Sequence, residues 1–209
     1  TNSLVVENLK EISRCSEVGR ILIGDAGVDV HLIEEIRGIN KIEVINQADI
    51  YSQGSCIIDL IRRVSTDYFV YLHGDVTLPE NWFRVMAENL GSSKLAECGR
   101  VYQYSIRHEE RHFQREYPSS RPLSGSQMGD TKFFLECTEH VDDDFLFRNE
   151  DLVFADLVDK NGGDYKIINQ THHFHQIGFD RINENIKPNS RLAYSRIPSQ
   201  NDVVLFKCQ

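Results

Sequence analysis

The chain has 209 residues, of which 40% are hydrophobic and 26% charged, with a formal net charge of -9. That length buries one sizeable core and predicts a single domain spanning 1–209, and the composition excludes disorder. The negative balance excludes a general affinity for nucleic acid or anionic membranes, although local basic patches can still meet phosphates.

The first apolar period is helical. Residues 2–12 place Leu4, Val5, Leu9 and Ile12 on one face, with Asn2 or Ser3 as N-cap. An alternating α/β pattern normally opens on a strand, so the expectation is a first strand before Thr1 that has been trimmed or lost. A short strand over 20–23 ends in the turn Gly24-Asp25-Ala26-Gly27. A helix follows over 28–37, with Val30, Ile33 and Ile36 as its inner face, then an alternating strand over 41–45 and a helix over 55–64.

The apolar run Tyr68-Phe69-Val70-Tyr71-Leu72 is a buried strand that stops abruptly at His73-Gly74-Asp75, and Pro79 opens the next helix over 82–90. One more strand is predicted over 97–104. Strands and helices alternating through short loops predict an α/β fold, a mostly parallel, doubly wound sheet with helices on both faces.

The pattern breaks over 106–128. Apolar periodicity vanishes there, while Arg107, Arg111 and Arg115 recur at helical spacing beside His108 and His112. Two readings stand: a long functional polar loop, or a solvated charged helix balanced by Glu109, Glu110 and Glu116. Composition predicts a strand over 131–137. Beyond the run Asp142-Asp143-Asp144, a helix begins with Glu150 and Asp151 in its first turn and ends near Asn161-Gly162-Gly163. A strand over 165–168 leads to Thr171-His172-His173-Phe174-His175, and only 203–206 of the tail reads as ordered.

Five scattered cysteines without a C-x-x-C pair exclude a disulfide framework or thiolate zinc centre and predict a reducing, cytoplasmic setting. No run approaches the ~20 apolar residues of a membrane span, and no signal-peptide pattern is present, which leaves peripheral association with the inner face of a membrane open.

A carboxylate at the carboxyl end of a buried strand is where α/β sheets collect ligands, so Asp75 is either a metal or substrate anchor or a plain turn cap. The stretches Ile23-Gly24-Asp25-Ala26-Gly27-Val28-Asp29, Leu72-His73-Gly74-Asp75-Val76, Leu78-Pro79-x-x-Trp82, Glu150-Asp151, Gly163-Asp164-Tyr165-Lys166 and the histidine cluster occur in that order. Together they resemble the inverting nucleotide-sugar glycosyltransferases of the GT-A fold, family 2 in particular, over about 1–176. In that family the second strand ends Val-Asp-Asp-Gly-Ser-x-Asp, and Gly24 stands here for the first Asp. The family's Asp-x-Asp metal motif has His73 for its first Asp and keeps the last as Asp75. An Ala-Arg-Asn motif expected near 55–59 is absent.

The resemblance implies a nucleotide-binding half over 1–90, an acceptor and catalytic half over 97–176, and a C-terminal tail over 177–209. It implies a UDP- or GDP-linked sugar donor and a glycan, lipid-linked or small-molecule acceptor. Asp25, Asp75, His73, Arg107 and Arg111 would bind the donor, Asp25 at the base or ribose and the arginines at phosphate oxygens. A Mn²⁺ or Mg²⁺ ion would sit on Asp75 with His175, or His173, as second ligand. Those two histidines share one face of an extended segment. Asp151 would be the base that deprotonates the acceptor hydroxyl, with Glu150 beside it; the reverse assignment stays open. The competing readings are a non-catalytic nucleotide-sugar-binding module on the same fold and a nucleotidylyltransferase. The latter needs a Gly-rich, Lys/Arg-containing loop after the first strand, which this sequence does not show.

Overall fold

Alternation along the central strand β3 (Tyr68–Leu72) decides the layering: Phe69 and Tyr71 turn to one face, Val70 and Leu72 to the other, and all four are buried. The computed structural model describes residues 2–27, 30–50, 52–106, 110–116, 125–139, 141, 150–177 and 204–208. The remaining elements are α1 (Asn2–Arg14), β1 (Val18–Asp25), α2 (Val30–Arg37), β2 (Ile42–Asn46), α3 (Gln53–Arg62), β4 (Val76–Thr77), α4 (Trp82–Leu90), β5 (Leu95–Ile106), β6 (Glu110–Glu116), β7 (Ser126–Asp130), α5 (Thr131–Thr138), α6 (Glu150–Lys160), β8 (Tyr165–Ile177) and β9 (Val204–Cys208).

Helices cover both faces of one sheet. On one side α1, α2 and α4 pack Leu9, Ile36 and Met86 against Val70 and Leu72; on the other α3, α5 and α6 pack Leu60, Phe134 and Leu157 against Phe69 and Tyr71. Each such side chain contributes about 1.5–3 kcal/mol by leaving water. Phe69 meets Phe134 edge-on at 5.2 Å between ring centroids and Phe154 at 5.5 Å. Gly129 on β7 lies directly over that ring, where a Cβ would come within 2.4 Å of Phe69 Cζ.

Strand order is β2-β1-β9-β3-β7-β5-β8-β4, with β6 paired to β5. The five strands that alternate with helices, β1, β2, β3, β5 and β8, run in one direction, as the sequence predicts. Two further strands, β9 and β7, lie antiparallel among them, so among the described residues only β1–β2 and β5–β8 are parallel neighbours. The place beside β1, on the side away from β2, is held by β9.

Two segments differ from expectation. Residues 131–137 form α5 rather than a strand: Asp130 caps it by accepting from the Phe133 N–H at 2.9 Å, and Phe134 and Cys137 then share its buried face. Within 106–128, neither a continuous loop nor a charged helix forms. Glu110–Glu116 pairs with β5 as an antiparallel strand, and Ser126–Asp130 is a central strand between β3 and β5. The predicted helix boundaries elsewhere hold to within a few residues, with α3 begun by Ser52 accepting from the Ser55 N–H at 3.1 Å. Among the described residues, no helix is long and apolar enough to cross a membrane.

Candidate functional site

The carboxyl end of β3 is the focus of the site. There the His73 N–H donates to Gly125 O at 2.8 Å, and the Val76 N–H returns to His73 O at 3.2 Å, so His73-Gly74-Asp75 is a tight turn into β4. Val76 is paired with His175 on β8. That pairing carries Asp75, one residue earlier, alongside His175: Asp75 Oδ2 lies 3.3 Å from His175 Nε2, with both side chains mostly buried.

Aromatic rings surround the pair. His175 lies 5.7 Å from Tyr102 and 6.4 Å from His73, and His73 stands edge-on to Tyr71 at 5.2 Å between centroids. An irregularity shapes this end of β8. Pairing with β5 passes from Cys98↔Ile168 to Gly99↔His172, which sets His173 opposite Arg100 and His175 opposite Tyr102. Bulges beside ligand sites commonly re-aim side chains in this way.

His173 is fully buried, and its Nδ1 lies 2.6 Å from Ser126 Oγ. Burial first, then the charges of His175 and Arg100, hold its pKa well below the usual imidazole range, so the ring is neutral.

Other site residues meet the same edge of the sheet. Asp25 ends β1, codirectional with β3, and Ile23 and Leu72 both pair with Val204 of β9, which places the two strand ends level. One Asp25 oxygen accepts from the Gly27 N–H at 3.1 Å, stabilising the turn there. Helix α6 crosses the sheet with Phe154 5.1 Å from the Tyr71 ring, and its far end reaches the start of β5, where the Leu95 N–H donates to Asp164 O. Its first turn, carrying Glu150 and Asp151, therefore stands over the edge where β3 ends. The side chains of Glu150, Asp151 and Arg111 lie outside the described residues, as does Arg107 altogether.

The structure thus brings together Asp75, His175 and His73 and sets His173 behind them against Ser126. A divalent ion has two suitable donors in Asp75 and His175, a carboxylate oxygen and an imidazole nitrogen that already converge on one point. Among the described residues, no group of three or more ligating side chains gathers.

Sequence reasoning missed a buried polar row one step inside the edge. Tyr71, Gln127 and Glu97 are register neighbours on β3, β7 and β5, all fully buried, and neither amide atom of Gln127 has a hydrogen bond among the described residues. No hydrophobic pattern marks them, because the strand that bears Gln127 is polar.

No protein-family model and no curated protein matches the chain. Solved structures do. HddC from Yersinia pseudotuberculosis, at 15% identity, is matched over 81% of this chain and 78% of its own, with a TM-score of 0.55. The 4-diphosphocytidyl-2C-methyl-D-erythritol synthase of Anaerococcus prevotii, at 13% identity, is matched over 84% and 76%, with a TM-score of 0.52. A putative glucose-1-phosphate thymidylyltransferase from Bacillus anthracis, at 11% identity, is matched over 81% and 75%, with a TM-score of 0.51. These likenesses show a shared α/β fold.

Proposed function

We propose that this chain is an inverting glycosyltransferase that moves a sugar from a nucleoside-diphosphate donor to an acceptor hydroxyl. The observation that carries the reading is the meeting of Asp75 and His175 at 3.3 Å, on the sheet edge that also holds Asp25 and the first turn of α6. Asp25, Asp75 and His175 belong to three of the stretches that carry the resemblance, which supports this reading.

In this reading Asp25 binds the base or ribose, and Asp75 with His175 holds Mn²⁺ or Mg²⁺. Bound there, the ion would neutralise charge on the departing diphosphate. Asp151 takes the proton of the acceptor hydroxyl as its oxygen bonds to the anomeric carbon, while the bond from that carbon to the diphosphate oxygen breaks on the opposite face. Glu150 lies beside the acceptor. Arg107 and Arg111 meet phosphate oxygens. His73, packed between Tyr71 and His175, lines the donor side where the resembling family has an Asp.

A second reading has its own support. The matched structures include a putative glucose-1-phosphate thymidylyltransferase, and HddC has been solved complexed with GMP-PN, again matched at a TM-score of 0.52. On that reading the chain transfers a nucleotidyl group from a nucleoside triphosphate to a sugar phosphate. One assay separates the two: release of nucleoside diphosphate from UDP- or GDP-sugars with Mn²⁺ and an acceptor panel, against release of pyrophosphate from nucleoside triphosphates with sugar 1-phosphates. Diphosphate release with anomeric inversion is expected. Pyrophosphate release alone would favour the second reading, and chelator-insensitive nucleotide binding without turnover would favour a non-catalytic module.

A further inference from the structure

Behind the Asp75–His175 pair lies a cluster that the proposed reaction does not use. Trp82 of α4 donates its Nε1–H to Cys98 Sγ of β5 at 3.3 Å. That sulfur stands 3.7 Å from Ser126 Oγ of β7 and 3.7 Å from His173 Nδ1 of β8, and the last two atoms are 2.6 Å apart. All four side chains are buried.

Donor and acceptor identities give this cluster a direction. An indole nitrogen only donates, so the sulfur accepts from Trp82, which leaves the hydrogen of the thiol available to the serine and histidine side. Burial keeps that hydrogen in place, with the Cys98 thiol pushed up to about 11. If Ser126 Oγ accepts from the thiol and donates its own hydrogen to His173 Nδ1, every hydrogen in the series meets one acceptor. The proton of the neutral imidazole then resides on Nε2.

We propose that Ser126 is a positioning residue of the candidate site: it holds His173 as the Nε2–H tautomer, withdraws that ring from metal coordination and leaves it to orient His175. A metal needs a nitrogen lone pair. In this tautomer the Nδ1 pair is taken by Ser126 and Nε2 carries hydrogen.

The link to His175 follows from the same face of β8. The two rings are 6.2 Å apart between centroids, and His173 Nε2 and His175 Nδ1 are both buried without a hydrogen bond among the described residues. With a cation on Asp75 taking the His175 Nε2 lone pair, His175 Nδ1 would carry the ring hydrogen, so it and His173 Nε2 would both be donors. One water accepting from both nitrogens would satisfy them. Supporting groups of this kind set the tautomer and angle of the residues that touch a ligand. The orienting role rests on the glycosyl-transfer reading of the site, whereas the tautomer does not.

Side-chain ¹⁵N NMR on the full chain labelled at histidine tests it, with the His173 signals identified by their loss in His173→Gln. The expected result is a protonated Nε2 and an unprotonated, hydrogen-bonded Nδ1 in the wild type, unchanged in position on adding Mg²⁺. Ser126→Ala should turn this into a tautomer mixture and lower nucleotide-sugar turnover about 10- to 100-fold, and Ser126→Thr should restore both. A wild-type His173 protonated on Nδ1 would overturn the proposal without recourse to any variant, as would a Ser126→Ala protein with an unchanged tautomer. Absence of turnover in the wild type would count against the reaction and leave the NMR result standing.

Discussion

Replacing Gln127 by Met should make the protein more stable. Gln127 is fully buried between Tyr71 and Glu97, and among the described residues neither its amide oxygen nor its amide nitrogen has a hydrogen bond. Burying an amide without partners costs about 1–3 kcal/mol in proteins. Methionine has the same unbranched length and no group to desolvate, so Gln127→Met should recover about that amount. In urea the midpoint should rise with the slope unchanged, and for a chain of this size the thermal midpoint should rise about 2–4 °C per kcal/mol. A polar row retained at such a cost beside a ligand edge points to use, so the same variant should lose activity as it gains stability. A variant destabilised by more than about 0.5 kcal/mol would refute the reasoning, because it would mean that the amide is satisfied in the folded state.

Four further outcomes are expected. Asp75→Ala should abolish metal-dependent nucleotide binding in calorimetry, and unchanged affinity would sink the anchor role of Asp75. Gly129→Ala should cost about 1–3 kcal/mol in urea unfolding, since the new methyl meets the Phe69 ring that Phe134 and Phe154 hold in place. Because the folded pKa of His173 lies below its unfolded value, the unfolded chain takes up the proton first as pH falls. The stability from its neutrality is present above about pH 6.5 and lost below it, by up to about 1.4 kcal/mol per pH unit, and His173→Gln should flatten that slope. In the native protein Cys15, partly exposed, should be alkylated before the buried Cys56, Cys98 and Cys137, as peptide mapping would show.

The alternating half of the fold is legible in the sequence because its signals are local. Apolar runs such as Tyr68–Leu72 and helix faces such as that of Trp82–Leu90 follow from burial on a single element. The middle of the chain is less legible for three different reasons. Ser126–Asp130 is a central strand whose row bears Gln127, so burial there does not coincide with hydrophobicity. Among the described residues, Glu110–Glu116 pairs along one side only, with β5, and such an edge has no need of an apolar face. Thr131–Thr138 has strand-like aromatic composition, overridden by the Asp130 cap and the inward pair Phe134 and Cys137. At the site, the resemblance brought Asp75 and His175 into one hypothesis. Ser126 and Cys98 could not have been joined to them, because their contact depends on a strand order that periodicity does not encode.

The place of β9 has a consequence for how the molecule assembles. It is the strand that joins β1 to β3, and its register ties Val18 to Cys208 and Leu72 to Val204. Contacts between such distant positions must be made against the entropy of a very long loop, and they slow folding. The β2–β1 pair and the block running from β3 to β8 can each form early from nearer contacts. Their union waits for residues 204–208, so a partly folded chain exposes the backbone edges of β1 and β3 together. Refolding should therefore show a slow final phase, and loss of β9 should leave a species prone to pairing with other copies through those edges.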